Sequence, residues 1–93
     1  MLEKEIQSKI VQWINRQPGM FVIKTHATAY SQVGIPDLIC CVKGRFVAME
    51  VKRPGGTTTQ IQQLQIQKII SANGIAGIVH SLDEAIEVIG RAM

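Results

Sequence analysis

Aromatic residues are scarce in this 93-residue chain, which has one Trp, one Tyr and two Phe. Its core must therefore rest on Ile, Val, Leu, Met and Ala. With the few aromatics and cysteines they bring the apolar fraction to 46%, too high for a disordered chain. Cysteine is nearly as rare. The only two, Cys40 and Cys41, are adjacent. Neighbours on a strand point to opposite faces, so these two cannot bridge each other. A disulfide framework is excluded, and two buried free thiols suited to a reducing cytoplasm are expected. No apolar run approaches the ~18 residues of a membrane span, and no secretory leader or lipidation motif is present. His26 and His80 have no Cys or His partner at ligand spacing, which excludes a zinc site of the usual kind. There are no repeats and no low-complexity stretches. No recognition-helix signature appears either, so any contact with DNA should be weakly sequence-specific. The length leaves little room for more than one domain over residues 1–93. A core this small is marginal, which favours a homodimer.

Acidic residues are few and unevenly placed. Residues 1–80 hold nine of the ten Lys and Arg but only Glu3, Glu5, Asp37 and Glu50 among acids. Asp83, Glu84 and Glu87 follow in the last segment. With a net charge of +3, the chain is expected to present one basic face and to favour polyanionic partners.

Leu2, Ile6, Ile10, Trp13 and Ile14 fall on one arc at helical spacing, predicting a helix over 3–16 that Pro18-Gly19 ends. Met20–Lys24 reads as a short strand. Residues 25–36 are polar and irregular, and a loop of this length in a small domain is often functional. Asp37–Val42 is an apolar run without alternation, which predicts a central strand buried on both faces. Lys43-Gly44 is a turn signal and Arg45–Lys52 the next strand. After the break at Arg53-Pro-Gly-Gly56, one of Thr57, Thr58 and Thr59 caps a Gln-rich helix over 60–73, stopped by Asn73-Gly74. Ile75–Val79 is a strand, and Ser81 or Asp83 caps a last helix through Ile89. The order is α-β-β-β-α-β-α, an α/β chain with a mixed central sheet flanked by helices.

Three residues in this frame carry chemistry. Glu50 and Lys52 are two apart on a strand and so share a face. A two-residue loop at Lys43-Gly44 pairs Val42 with Arg45, and counting back sets Asp37 directly opposite Glu50. Opposed residues have Cβ atoms roughly 4.5–5.5 Å apart. Two carboxylates so placed repel each other, and burial worsens this. A hard divalent cation between them removes the conflict, and Mg²⁺ characteristically takes one or two carboxylates with waters and substrate phosphates. Lys52 would then stand beside the attacking water, to orient it, help take up its proton or neutralise transition-state charge.

Gly34-Ile-Pro-Asp37, twelve intervening residues and then Glu50-Val-Lys52 resemble the signature of the PD-(D/E)XK nucleases. Within that superfamily the chain is similar to the virus-type replication-repair nuclease (VRR-NUC) group, in its stand-alone phage or bacterial form. The similarity runs through the Pro-Gly-Gly break, the Gln-bearing helix and the closing strand and helix. It implies a restriction-endonuclease-like core and a DNA endonuclease dependent on Mg²⁺, with Mn²⁺ as a substitute. Asp37, Glu50 and the Val51 carbonyl would bind metal, and Lys52 would serve the water. It further implies a homodimer acting in DNA repair on branched DNA such as four-way (Holliday) junctions, in the host cytoplasm if the chain is phage-encoded.

The resemblance also asks for an acid on the first helix and a glutamine after the lysine. Glu3 lies within the arc of Ile6, Ile10 and Ile14 and is chosen over Glu5. Among the glutamines, Gln63 is preferred, with Gln62 and Gln67 as alternatives. Lys24, Lys43, Arg45, Arg53 and Lys68 are expected to contact phosphates, with His26 and Tyr30 from the loop beside the site. Two readings compete with a junction endonuclease: the same chemistry as a nickase, flap or restriction-like endonuclease, and a non-catalytic DNA-binding module.

Overall fold

The computed structural model describes residues 1–26 and 32–93. It contains, in order, α1 (Glu3–Asn15), β1 (Met20–Lys24), β2 (Leu38–Val42), β3 (Arg45–Val51), α2 (Gln60–Ser71), β4 (Ile75–Val79) and α3 (Leu82–Gly90). The four strands form one sheet in the order β1-β2-β3-β4. The first three are antiparallel neighbours, and β4 returns parallel to β3 after the crossover through α2. The expected element order is therefore the observed one, with ends shifted by a residue or two.

The turn between β2 and β3 sets the register. Lys43 and Gly44 have φ of 50° and 86°, the positive pair that a tight two-residue hairpin turn demands. Glycine adopts this freely, and Lys43 is held there by its N–H donating to the Gly19 carbonyl at 2.8 Å. Val42 then pairs with Arg45 and Leu38 with Met49.

Side-chain alternation divides the core into two layers. Leu38, Cys40 and Val42 of β2 point with Val47, Met49 and Val51 of β3 toward Ile6, Ile10 and Ile14 of α1 and Ala85, Val88 and Ile89 of α3. Each such aliphatic side chain contributes roughly 1.5–3 kcal/mol when fully buried. On the other face α2 covers only the β3–β4 half, packing Ile66 and Ile69 on Ala48, Ala76 and Ile78.

Three expectations are corrected, two of them by that half-coverage. The central strand β2 is fully buried on one face only, because α2 stops short of it, leaving Ile39 half-buried. Cys41 is exposed for the same reason, so only Cys40 is a buried thiol. Leu2 lies outside the buried arc, since it precedes the helix as its N-cap and is exposed. Ser81, not Asp83, caps α3 by accepting from Glu84 N–H. No helix among the described residues is long and apolar enough to cross a membrane.

Candidate active site

The site forms at the end of the hairpin away from the turn. Asp37 lies one residue before β2, so extending the Leu38–Met49 pairing by one step puts it opposite Glu50, as the turn predicts. Where β2 ends, the next donor along β3 would lack a ladder partner. The Asp37 side chain supplies it: Val51 N–H donates to Asp37 Oδ2 at 2.8 Å. Asp37 thus closes the sheet with one oxygen while facing Glu50.

Among the described residues Glu50 is the one ionisable acid or base buried in the core, 2% exposed. Its Oε1 has no hydrogen-bond partner. Burial above all, then a hydrogen bond with Asp37 and the charge of Asp37, push its pKa up to about 9, against the opposing pull of Lys52. Glu3 adds a smaller repulsion in the same direction. Three predicted residues, Asp37, Lys52 and Glu3, therefore act electrostatically on Glu50, and Glu5 is exposed on α1. Among the described residues no three His, Cys, Asp or Glu side chains group closely enough to hold an ion between them. Two carboxylates with one orphaned, buried oxygen nevertheless fit a hard cation that keeps its own waters.

The loop leading into Asp37 is pinned to α2. Gly34 has φ of 79°, and a Cβ there would lie 3.0 Å from the Ile61 carbonyl carbon and oxygen. No larger residue fits that approach without moving the helix. One turn on, Gln65 donates from Nε2 to the Val33 carbonyl at 3.0 Å. Neither anchor was read from the sequence, although a glycine three residues before the aspartate was the available signal.

The glutamines divide by role. Gln62 is committed to a capping box with Thr59, its Oε1 accepting from Thr59 N–H at 2.9 Å; the Thr-x-x-Gln pattern could have announced this. Gln63 donates to Thr58 Oγ1 at 2.9 Å. With Gln60, Gln67 and Ile78 it lines a surface groove of about 480 Å³, and Ile78 is the register partner of Glu50. None of the hydrogen bonds among the described residues joins a glutamine to Asp37 or Glu50.

The basic residues separate by position. Lys24 pairs with Leu38 at the site end of the sheet but on the α1 face, in a cleft with Gln7, Ser8, Val11 and Gln12, away from the face that carries Asp37. Arg53 follows Lys52 at the site end. Lys43 and Arg45 sit at the turn, some five residue pairs or roughly 16 Å from the carboxylates at ~3.3 Å per residue. Lys68 lies near the far end of α2. All five are exposed, as is His26. Tyr30 lies outside the described residues. His80 follows β4, and its Nδ1 stands 2.9 Å from Glu84 Oε1. Hydrogen bonds from His80 hold the Glu84 carboxyl below its ordinary range.

A mixed sheet with helices on both faces and an opposed carboxylate pair beside a lysine defines a restriction-endonuclease-like nuclease of the PD-(D/E)XK kind. Comparison with known proteins agrees. Solved structures share the fold, two of them as follows. One, described as a VRR_NUC domain protein, superposes with a TM-score of 0.82 at 22% identity, over 98% of this chain and 87% of its own. A second, described as a VRR_NUC domain, gives 0.78 at 19% identity, over 98% and 97%. No curated protein matches. The family model of the archaeal Holliday junction resolvase (hjc) matches residues 3–82. The chain belongs to that family, and it is a hydrolytic nuclease of the resolvase kind.

Proposed function

We propose that the chain is a magnesium-dependent endonuclease that cuts branched DNA, four-way junctions above all, as a homodimer. The observation that carries the metal is the orphaned Glu50 Oε1, buried opposite Asp37. The junction substrate rests on the family to which the chain belongs. Asp37, Glu50 and the Val51 carbonyl would hold Mg²⁺, or Mn²⁺ in its place, with Glu3 nearby as an outer acid. When bound, the ion supplies an activated water and a counter-charge for the phosphate.

The chain's own residues do the rest. Glu50 would hold the cation as a carboxylate, so metal binding would favour loss of its proton. Lys52, next but one on the strand, orients the attacking water and neutralises charge building on the phosphate oxygens. Gln63 completes the rim from α2. His26 and Arg53 take the backbone near the cut, Lys24, Lys43, Arg45 and Lys68 reach phosphates farther along the duplex, and Tyr30 adds a further contact. Residues 1–93 work as one nuclease domain in the cytoplasm, where an exposed Cys41 thiol stays reduced.

The uncovered half of the sheet supports the dimer. Phe21, Cys41 and Phe46 form one cross-strand row, and Phe21, Ile23 and Phe46 are 63%, 51% and 46% exposed. A buried aromatic side chain covers roughly 150–250 Å², so these three alone leave on the order of 300 Å² of apolar surface open. That is the right order for the apolar centre of a standard interface of about 800 Å² per partner. A two-fold axis through this face would present two sites to the two strands of a junction.

The test is cleavage of four-way junction, flap, nicked and linear duplex DNA in Mg²⁺, Mn²⁺ or EDTA, with the mass measured by light scattering. Paired, symmetric cuts in the junction by a species of twice the chain mass are expected. Preference for flap or linear duplex would move the chain to another substrate of the same chemistry. Cleavage in EDTA would remove the metal, and binding without any cleavage would leave a DNA-binding module.

A further inference from the structure

We propose that Thr25 is a positioning residue for Asp37, acting through its side-chain hydroxyl. The assignment rests on the metal reading of Asp37 and adds the residue that aims it.

The β1–β2 pairing of Lys24 with Leu38, carried one step further, sets Thr25 opposite Asp37. Its N–H donates to the Asp37 carbonyl at 2.8 Å. That bond merely extends the ladder. The hydroxyl does something the ladder does not require. Thr25 Oγ1 donates to the Pro36 carbonyl at 2.8 Å, with the Asp37 carbonyl at 3.1 Å.

Those two carbonyls belong to the two peptide planes that flank the Asp37 Cα. Fixing both planes fixes φ and ψ of Asp37, and so the direction in which its Cα–Cβ bond leaves the backbone. Pro36, buried and with its own φ locked by the ring, leaves little slack on the N-terminal side. The far end of the side chain is held by Val51 N–H on Oδ2. Asp37 is thereby gripped at its backbone from β1 and at its carboxylate from β3. A ligand held at both ends is already oriented when a cation arrives, and little conformational freedom is lost on binding.

The hydroxyl separates cleanly from the N–H by mutation. Thr25→Val keeps the branched shape and the ladder bond and removes only the hydroxyl donor to the Pro36 and Asp37 carbonyls. Thr25→Ser keeps the donor and loses a methyl. Mg²⁺ affinity of the metal-free protein is read by titration calorimetry, and junction affinity is read in EDTA. One hydrogen bond is worth up to about tenfold in an equilibrium constant. Thr25→Val is expected to weaken Mg²⁺ binding by roughly 5–10-fold, with junction affinity in EDTA unchanged, and Thr25→Ser to stay within about twofold of wild type. Should Thr25→Val fail to fold, Thr25→Ala against Thr25→Ser makes the same comparison. A variant that melts earlier but binds Mg²⁺ as wild type does overturns the assignment and leaves the metal site standing. A wild-type chain that takes up no Mg²⁺ at all overturns the metal reading, and this assignment with it.

Discussion

Asp37→Asn and Lys52→Ala will each lower the rate of junction cleavage by ~10³-fold or more, with junction binding in EDTA near that of wild type. The choice of asparagine matters, because Asp37 has two tasks in this structure. One oxygen accepts the Val51 N–H and closes the end of the sheet. An amide oxygen can still do that, so the fold should survive. What asparagine lacks is the charge that would hold a divalent cation opposite Glu50. Lys52 is half-buried at the end of β3, with its N–H donating to the Val79 carbonyl. Truncating its side chain leaves that backbone bond intact and removes only the cation that faces Glu50. The two variants should then part on metal affinity: lost in Asp37→Asn, retained in Lys52→Ala. Single-turnover cleavage and Mg²⁺ titration check both. A Lys52→Ala protein that cuts at the wild-type rate would exclude this lysine from the chemistry.

The metal-free protein should lose stability as pH rises, and Glu50→Gln should abolish most of that loss. Burial and Asp37 raise the Glu50 pKa to about 9, from an ordinary value of 4.5. The folded chain therefore holds a proton that the unfolded chain releases above about pH 4.5. Stability from this group is fully present below that point and is lost progressively as pH climbs toward 9. In the native state an ionised Glu50 would face Asp37 with an unpartnered oxygen, a penalty on the order of a few kcal/mol. For a domain of this size, 1 kcal/mol corresponds to roughly 4–8 °C in Tm. Glutamine is neutral at every pH, so Glu50→Gln should melt higher than wild type at pH 8 and equally at pH 4.5. Saturating Mg²⁺ should close the gap by stabilising wild type alone, by ~2.7 kcal/mol at one hundred times Kd. Parallel pH–Tm curves for the two proteins would show that Glu50 is not the group that titrates.

The elements and the carboxylate pair were legible in the sequence for a physical reason. Helical spacing of Ile6, Ile10 and Ile14 and the positive-φ turn at Lys43-Gly44 are local signals, and local signals decide element type and hairpin register. Asp37 opposite Glu50 followed by counting. What stayed hidden depends on how far one element extends over another. Cys41 and Phe21 are open to solvent because α2 lies over β3 and β4 alone, and nothing in residues 60–71 announces which strands a helix will cover. Thr25 was read as loop because apolar patterning stops at Lys24, yet the pairing runs one step further. Lys43 and Arg45 looked like site residues in a list of cations. The register that joins Asp37 to Glu50 is also what sends those two to the far end. The glutamines could not be sorted from periodicity, since choosing among Gln62, Gln63 and Gln67 requires knowing where the helix begins, and the Thr59 cap decides that.

The turn at Lys43-Gly44 has one more consequence, which concerns parity. Twelve residues separate Asp37 from Glu50: two in the turn and five cross-strand pairs. Lengthening both strands by one residue each adds a pair and leaves the carboxylates opposed, so hairpins of ten, twelve or fourteen intervening residues are equivalent in this respect. A single inserted residue is different. Unless a longer turn or a bulge absorbs it, it slides one strand by a step and turns one carboxylate toward the helices of the opposite layer. The spacing of the two acids is thus constrained to even numbers far more tightly than to any one length. Odd spacings should occur only where an odd-length loop or a bulge restores the facing pair.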